Sequence, residues 1–594
     1  MIIMKRLVEC YIPLDELNKT SKKEAGFIRV PKISNIHPYL ARRPTATART
    51  LTLSAVLPEI TDKNEFMEAL GFTKVNDVPY KILYLVNPDR QLISELIKKY
   101  TDKNPEDITI LDPMAGGGSI PLESLRLGFR TIAIDYNPVA YLILKAVLEY
   151  PARYGRKLYE DVKREVERLL DWAKKELNKY YPAGYIVARG YKCPNINCQG
   201  LIPIIHGNKL GKEGPYIEFE IDKDRKTFRV RITSREVKFD KLRCPYCNTP
   251  INKDVALKDW VKRHKELLEI ALSGDIERAK EKLKDLLETH VLLIKETTQD
   301  FMPVNEEDKE ALVEAYLDLA QQADKLGEFL LDSQIPKENQ VFEPLTRYGI
   351  EYWYELFNPR QLLILLKLMK YVRNRAEELI REKGEYGVAI ALYLALGVSK
   401  SFNFNNITTT WDNSTSTIRE LVDHYSRTRS VNLGLEYCEV FLTEKNLPWV
   451  FEPHVTAIGR TAGGILPVLK LLSEWIEGLS DRVEVYCGDA RNLEEILGDR
   501  KINVVNVDPP YLSQHFYSDL MEFFWQILRI TLRPAIDEGY LFNRDPDKGR
   551  VELFIEGWSP YLSTLPREAE IIARKGQDNA LLKKDMTTND KVML

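Results

Sequence analysis

Asp508-Pro509-Pro510-Tyr511 follows the apolar run 502–507, INVVNV. Two prolines after a strand-terminal aspartate remove backbone donors and hold the chain in an extended turn. The Asp508 carboxylate and the Pro509 carbonyl then face outward as acceptors. Two acceptors in that arrangement suit an exocyclic NH2 group, whose two protons each need a partner. An amine held this way is drawn toward a tetrahedral nitrogen whose lone pair can attack an electrophilic methyl carbon. Tyr511 offers a flat face for a base pulled out of its helix. Asp508, Pro509, Pro510 and Tyr511 are therefore the candidate catalytic residues, and their chemistry asks for neither a metal nor a nucleophilic cysteine. The plain alternative is a chance Asp-Pro-Pro-Tyr in a loop. Its place at a strand end, downstream of a glycine-rich strand-to-helix turn, argues against that.

That glycine-rich turn is Asp112-Pro113-Met114-Ala115-Gly116-Gly117-Gly118-Ser119, between ITILDP and IPLESLRLG. Glycines there let the backbone turn sharply and approach a ligand, while a helix N-terminus faces whatever binds. No Lys-Ser/Thr follows, which excludes a Walker-type phosphate loop. Asp135, ending the next apolar run RTIAID, is placed to accept from a ribose 2′- and 3′-hydroxyl pair. Alone, these features fit NAD, FAD or S-adenosylmethionine, and the amine-holding turn selects the methyl donor. The predicted S-adenosyl-L-methionine pocket comprises Asp112, Pro113, Ala115, Gly116, Gly118, Asp135, Asp489 and Asp508. Asp489, just past the run VEVYCG, reads equally as the acceptor for the cofactor's adenine amine and as a helix N-cap.

Cys193 and Cys198 bracket four residues, and Cys244-Pro245-Tyr246-Cys247 follows a β-rich stretch. Two such pairs predict a four-thiolate structural zinc ribbon. A redox CxxC would leave the other pair unexplained. Cys10, Cys438 and Cys487 read as ordinary buried thiols. No histidine shows ligand spacing, and His515, near the catalytic turn, is read as structural. Between the cysteine pairs, Lys223, Arg225, Lys226, Arg229, Arg231, Arg235, Lys238, Lys241 and Arg243 outnumber the acids. Phe228 and Phe239 are interleaved, so the stretch fits a phosphate-contacting sheet and a solvated face equally.

The elements that must carry these residues read as an interrupted α/β domain. ITILD, a helix, RTIAID and a helix make a βαβα start, the language of a parallel sheet covered on both faces; the same language resumes at Arg482. The expected division is 1–150 (N-terminal segment and first half of the cofactor domain), 151–183 (helical linker), 184–255 (zinc ribbon), 256–480 (a mostly helical insertion) and 481–594 (second half). Within the insertion, 257–331 reads as long amphipathic helices, and 399–417 as a polar Asn/Thr loop. That insertion is the expected target-recognition region, with the Asn/Thr loop and Arg42, Arg43 and Arg49 as further contacts.

A chain of 594 residues with net charge −3 is too long for a single core and not basic enough to advertise a polyanion partner over its whole surface. No apolar run approaches the ~20 residues of a membrane span. No signal peptide is legible and seven cysteines make no disulfide scaffold, so a cytoplasmic protein is expected.

These strings resemble the adenine-specific DNA methylases that carry an inserted zinc ribbon and an N-terminal domain of unassigned function. The resemblance covers nearly the whole chain: Arg6-Leu7-Val8-Glu9 with Ile12-Pro13-Leu14, Ile36-His37-Pro38-Tyr39-Leu40-Ala41-Arg42-Arg43-Pro44, DPMAGGGSIPLESLRLG, both cysteine pairs, Leu356-Phe357-Asn358-Pro359-Arg360-Gln361-Leu362, and DPPY. It implies a Rossmann-like methyltransferase fold, S-adenosylmethionine as donor and DNA adenine N6 as target. Leu40 stands where that family carries a tryptophan. RNA base amines are the second reading, and a truncated, inactive fragment or a DNA-binding subunit is the third. A complete sheet of this kind needs about three more strands after Val507, whereas 512–594 offers only Val551–Ile555. A second polypeptide completing the sheet is therefore expected as a partner.

Overall fold

Apolar runs that are bounded by turns and buried on both faces can only be accommodated in the middle of a layered structure. Three short strands meet this description, β1 (Thr109–Asp112), β2 (Arg130–Asp135) and β3 (Val483–Gly488), and two less buried ones flank them, β4 (Val504–Val505) and β5 (Leu553–Phe554). They form one mixed α/β layer in the order β4-β1-β2-β3-β5, every pair parallel. The computed structural model describes residues 5–570 apart from 27–29, 41, 238–241, 298–299, 456–460, 463, 510–515 and 569. Read from β3, the order is 3-2-1-4. The chain moves outward from β1 through β2 to β3 and then returns to the other side of β1 as β4. At such a switch point the connecting loops leave in opposite directions and open a crevice at the C-terminal strand ends.

Among the described residues, no strand pairs with the outer side of β4, and Val505 and Val507 are 55% and 42% exposed. The expected strand near Val551–Ile555 does form, as β5. It pairs with β3, Cys487 opposite Leu553 and Gly488 opposite Phe554, and so extends the edge opposite β4.

The helices on and beyond the sheet include α1 (Thr45–Val56), α2 (Ser119–Arg126), α3 (Pro138–Leu144), α4 (Tyr150–Leu177), α5 (Pro359–Lys383), α6 (Glu385–Phe402), α7 (Ile465–Ile476) and α8 (Tyr517–Thr531); of these α1, α2 and α3 touch the strands directly. The N-terminal α1 packs on α2. Its Arg49 donates to Glu123 of α2 at 2.6 Å and to the Leu70 and Val86 carbonyls, all with no solvent exposure. Arg49 is therefore a core clamp and corrects the expectation of a nucleic-acid contact. In the insertion, α6 is buried from Gly387 to Phe402 and packs against α4, α5 and α8. Asn358 and Gln361 form a reciprocal capping box at the start of α5, and Arg360 pairs with Glu439 at 2.8 Å in full burial.

Two further expectations are corrected. Residues 257–331 are not helical throughout: His290–Glu296 is a buried strand paired with the long strand Gly184–Lys192, which pairs on its other side with Leu201–Ile204 and Glu436–Glu439. The run HVLLI has no helical periodicity to separate it from its neighbours, and it is apolar because the sheet buries it. The Asn/Thr stretch is not an open loop either. Asn403, Asn405, Asn406, Thr408 and Thr409 are buried, because their side chains satisfy backbone and neighbouring polar groups, as where the Asn406 amide donates to Phe402 O and the Thr409 hydroxyl to Cys438 O.

Candidate functional site

The crevice at the switch point is a pocket into which the ends of β1, β2, β3 and β4 all open. Asp112, Pro113, Ala115 and Gly116 line it from the first strand end, Asp135 from the second, Asp489 from the third, and Asp508 and Pro509 from the fourth. Of the expected cofactor residues, only Gly118 is not at its wall. Gly118 instead makes the turn, its φ of 86° lying in the left-handed region that favours glycine, immediately before α2. Pro510, Tyr511 and His515 lie outside the described residues.

Backbone amides organise the acids. Asp135 accepts from Gly116 N at 2.7 Å on one oxygen and from Asn137 N at 2.8 Å on the other. The glycine turn is thereby tied to the next strand end, and each oxygen keeps lone-pair capacity for a ligand hydroxyl. Burial pushes the Asp135 carboxyl up to about 6, against those two amides, which pull it down. Asp112 is also driven up by burial, and its Oδ1 accepts from Met114 N. Asp489 accepts from Arg491 N at 2.9 Å and pairs with the Arg491 side chain. Its capping role is thus present, and Asp489 also lines the pocket.

A fifth wall comes from a segment whose place the sequence did not disclose. The strap around Tyr39 to Arg43, well before β1, crosses the glycine turn. Tyr39 stacks on Tyr517 with centroids 5.5 Å apart, at the start of α8. Arg42 donates to the Gly117 carbonyl at 3.1 Å and to the His37 carbonyl at 3.0 Å. His37, fully buried, is held by the Ser399 hydroxyl. Leu40 lines the pocket as an apolar contact. Arg43 donates through Nε and Nη2 to both carboxylate oxygens of Asp508. Glu570, reached from the far C-terminal side, also lines the pocket and accepts from Ser518 N at 2.8 Å. Arg42 and Arg43 were legible as a basic pair. Nothing in the local pattern linked them, Tyr39, Tyr517 or Glu570 to the strand ends.

The four predicted cysteines come together. Their Sγ atoms all lie within 4.8 Å of one another, with Cys193–Cys247 at 3.5 Å and Cys198–Cys244 at 3.7 Å. A tetrahedron with bonds of about 2.3 Å has edges of about 3.8 Å, so the cluster can hold a metal ion. Turns shape both knuckles, with Cys198 N donating to Asn195 O and Asn248 N to Cys244 O.

The basic stretch between the pairs is largely a two-stranded ribbon, Tyr216–Asp222 with Thr227–Thr233. Alternation turns Phe228, Val230 and Ile232 toward an apolar cluster with Phe219. Glu218 and Glu220 stand opposite Arg231 and Arg229, and Arg231 pairs with Glu220. That cross-strand neutralisation favours a solvated face over a phosphate-binding one. Lys238, Phe239 and Lys241 lie outside the described residues.

Residues 11–71 match a family described as a protein of unknown function, DUF1156. That stretch contains the strap and α1. No curated protein and no solved structure matches the chain. Among the described residues, no helix is long and apolar enough to cross a membrane.

Proposed function

We propose that this chain is an S-adenosylmethionine-dependent methyltransferase acting on the exocyclic amine of a nucleic-acid base, adenine N6 in DNA. The observation that carries the reading is the meeting of the glycine turn, Asp135, Asp489 and Asp508-Pro509 in one pocket at four successive parallel strand ends. The 3-2-1-4 order and its switch-point crevice support a Rossmann-like methyltransferase sheet.

The residues fit the cofactor chemically. Asp135 retains acceptor capacity for a ribose diol, Asp489 stands where an adenine amine would come although Arg491 now holds its carboxylate, and the turn after β1 brings backbone close to the ligand's path. When bound, S-adenosylmethionine supplies an electrophilic methyl group on a sulfonium. Asp508 and the Pro509 carbonyl accept the two amine protons, which turns the nitrogen lone pair away from them, and Tyr511 stacks on the base. The cysteine cluster is read as a structural zinc site. A second polypeptide pairing with β4 belongs to the same proposal, supported by the exposure of Val505 and Val507 on that edge.

Incubation with methyl-labelled S-adenosylmethionine and either unmethylated DNA or tRNA tests the reading. Label recovered as N6-methyladenine in DNA is expected, and loss of label with Asp508→Ala assigns that residue. Label in tRNA alone turns the proposal to RNA. Binding of NAD without S-adenosylmethionine overturns it. Full turnover by a monomer, with no protection of the 504–507 amides from hydrogen exchange, would remove the partner chain.

A further inference from the structure

Asp508 meets a conflict. The carboxylate edge that a base amine would use is held by Arg43 through two donors, and a bidentate guanidinium leaves little of that edge open. Either Arg43 moves, or Asp508 never receives a base.

The surroundings say which part can move. Backbone on both sides of Arg43 is fixed. Arg42 is tied to the Gly117 and His37 carbonyls, and Pro44 leads directly into α1, whose first amides, Thr45 N and Ala46 N, donate to the Glu24 carboxylate. The Arg43 side chain, 38% exposed, lies beyond these backbone ties, at the wall of the pocket.

A second cavity, of about 180 Å³, adjoins the first and shares Arg43 with it; Glu24, Lys32, Tyr84 and Ser119 are among its walls. Tyr84 and Ser119 are 2% and 5% exposed, and among the described residues their hydroxyls have no hydrogen-bond partner. Buried hydroxyls without partners are uncommon and call for an explanation. Lys32 does not meet the need, because its Nζ is tied to the Glu24 and Gly26 carbonyls at 2.6 and 2.9 Å. Glu24 is buried and its carboxyl is pushed up by desolvation, against the hydrogen bonds from Thr45 and Ala46, which pull it down. The cavity thus offers one carboxylate with lone pairs to spare and two unpartnered hydroxyls to a group with five N–H donors.

We propose that Arg43 is a switched positioning residue: it holds Asp508 until a base amine replaces it, and then turns into the adjoining cavity to pair with Glu24. One carboxylate partner is exchanged for another, so the guanidinium keeps an anionic partner in both positions, while Asp508 passes to the donors of the amine. The incoming group rests on the methyltransferase reading, whereas the two Arg43 positions rest on the cavities alone.

The crystal structure of Asp508→Asn tests the second position without any ligand. Arg43 is expected on Glu24, and Arg43 remaining against residue 508 overturns the switch. Calorimetry with adenosine 5′-monophosphate in the presence of S-adenosylmethionine tests the exchange. Arg43→Ala is expected to bind the nucleotide about tenfold tighter, and Glu24→Gln about tenfold weaker, the latter only while Arg43 is present. Glu24→Gln retains one oxygen, for the short bond from Thr45 N, and gives up only the longer one from Ala46 N. An equal Glu24→Gln effect in both backgrounds overturns the switch, as does weaker binding by Arg43→Ala. If no variant binds either ligand while Arg43 still moves in Asp508→Asn, the methyltransferase reading fails and the switch stands.

Discussion

Arg42 fills the space that a side chain at residue 117 would need. A Cβ on Gly117 would lie 2.4 Å from Arg42 Nε and 2.7 Å from its Cζ. The middle glycine of the turn is thus small on account of an N-terminal arginine. Gly117→Ala should expel Arg42 and cost about 1–3 kcal/mol, the usual range for overpacking a tight site. Adding Arg42→Ala should recover part of that loss, measured by denaturant unfolding of the two single variants and the double.

The cofactor affinity should follow the Asp135 carboxyl. Burial raises its pKa to about 6, so the acid takes up a proton as the pH falls through that value and loses its capacity to accept from both hydroxyls of a ribose. Binding of S-adenosylmethionine is expected to be flat above pH 7 and to weaken about tenfold per unit below pH 6. The ligand-free chain responds with the opposite sign. Between about pH 4 and 6 the folded form keeps a proton that the unfolded chain has lost, so stability falls as pH rises, by up to about 3 kcal/mol. Asp135→Asn should flatten both profiles in calorimetry and in unfolding.

Glu123 holds two arginines at once. Its Oε2 accepts from Arg49 of α1 and its Oε1 from Arg126 of α2 at 2.7 Å, all three side chains within 1% of full burial. Removing the carboxylate strands two buried guanidinium charges. Glu123→Ala should destabilise the chain by about 3–5 kcal/mol, whereas replacing an exposed pair such as Lys99–Glu65 should change little. Urea midpoints of the two variants make the comparison.

Elemental analysis should find about one zinc per chain. Cys244→Ser is expected to abolish it and to raise hydrogen exchange within 184–251, because metal binding and folding of such a module are a single event. A metal-free wild-type chain with four readily alkylated thiols at these positions would count against the assignment.

The gathering of the strand-end residues was legible because each motif is local: a glycine turn after β1, an acid after β2, an Asp-Pro after β4, and two cysteine pairs. The neighbourhood of those motifs was not. Tyr39 and Arg43 reach the pocket by a strap whose own residues show no helical or strand period, so no pattern could place it. His290–Glu296 was lost among amphipathic helices because a short buried strand and a buried helical turn are equally apolar. The amides of 403–409 looked like a solvent-facing loop, since burial of asparagine depends on partners distant in the chain. Arg49 looked like a target contact for the same reason. Its partner, Glu123, sits 74 residues on.

The pairing of Thr131 with Val483 joins residues about 350 positions apart, and it governs how the chain can be made. At roughly 5–20 residues per second, a ribosome needs about 20–70 s to travel between them. Throughout that interval β2 has no β3, and its apolar edge has emerged without its permanent neighbour. The helices α3 to α6 are synthesised in the meantime, and they share one continuous core with the sheet. The insertion thus joins α1 and α2 as cover for the nascent strands before β3 exists, and β3 must enter a space that its predecessors have already shaped.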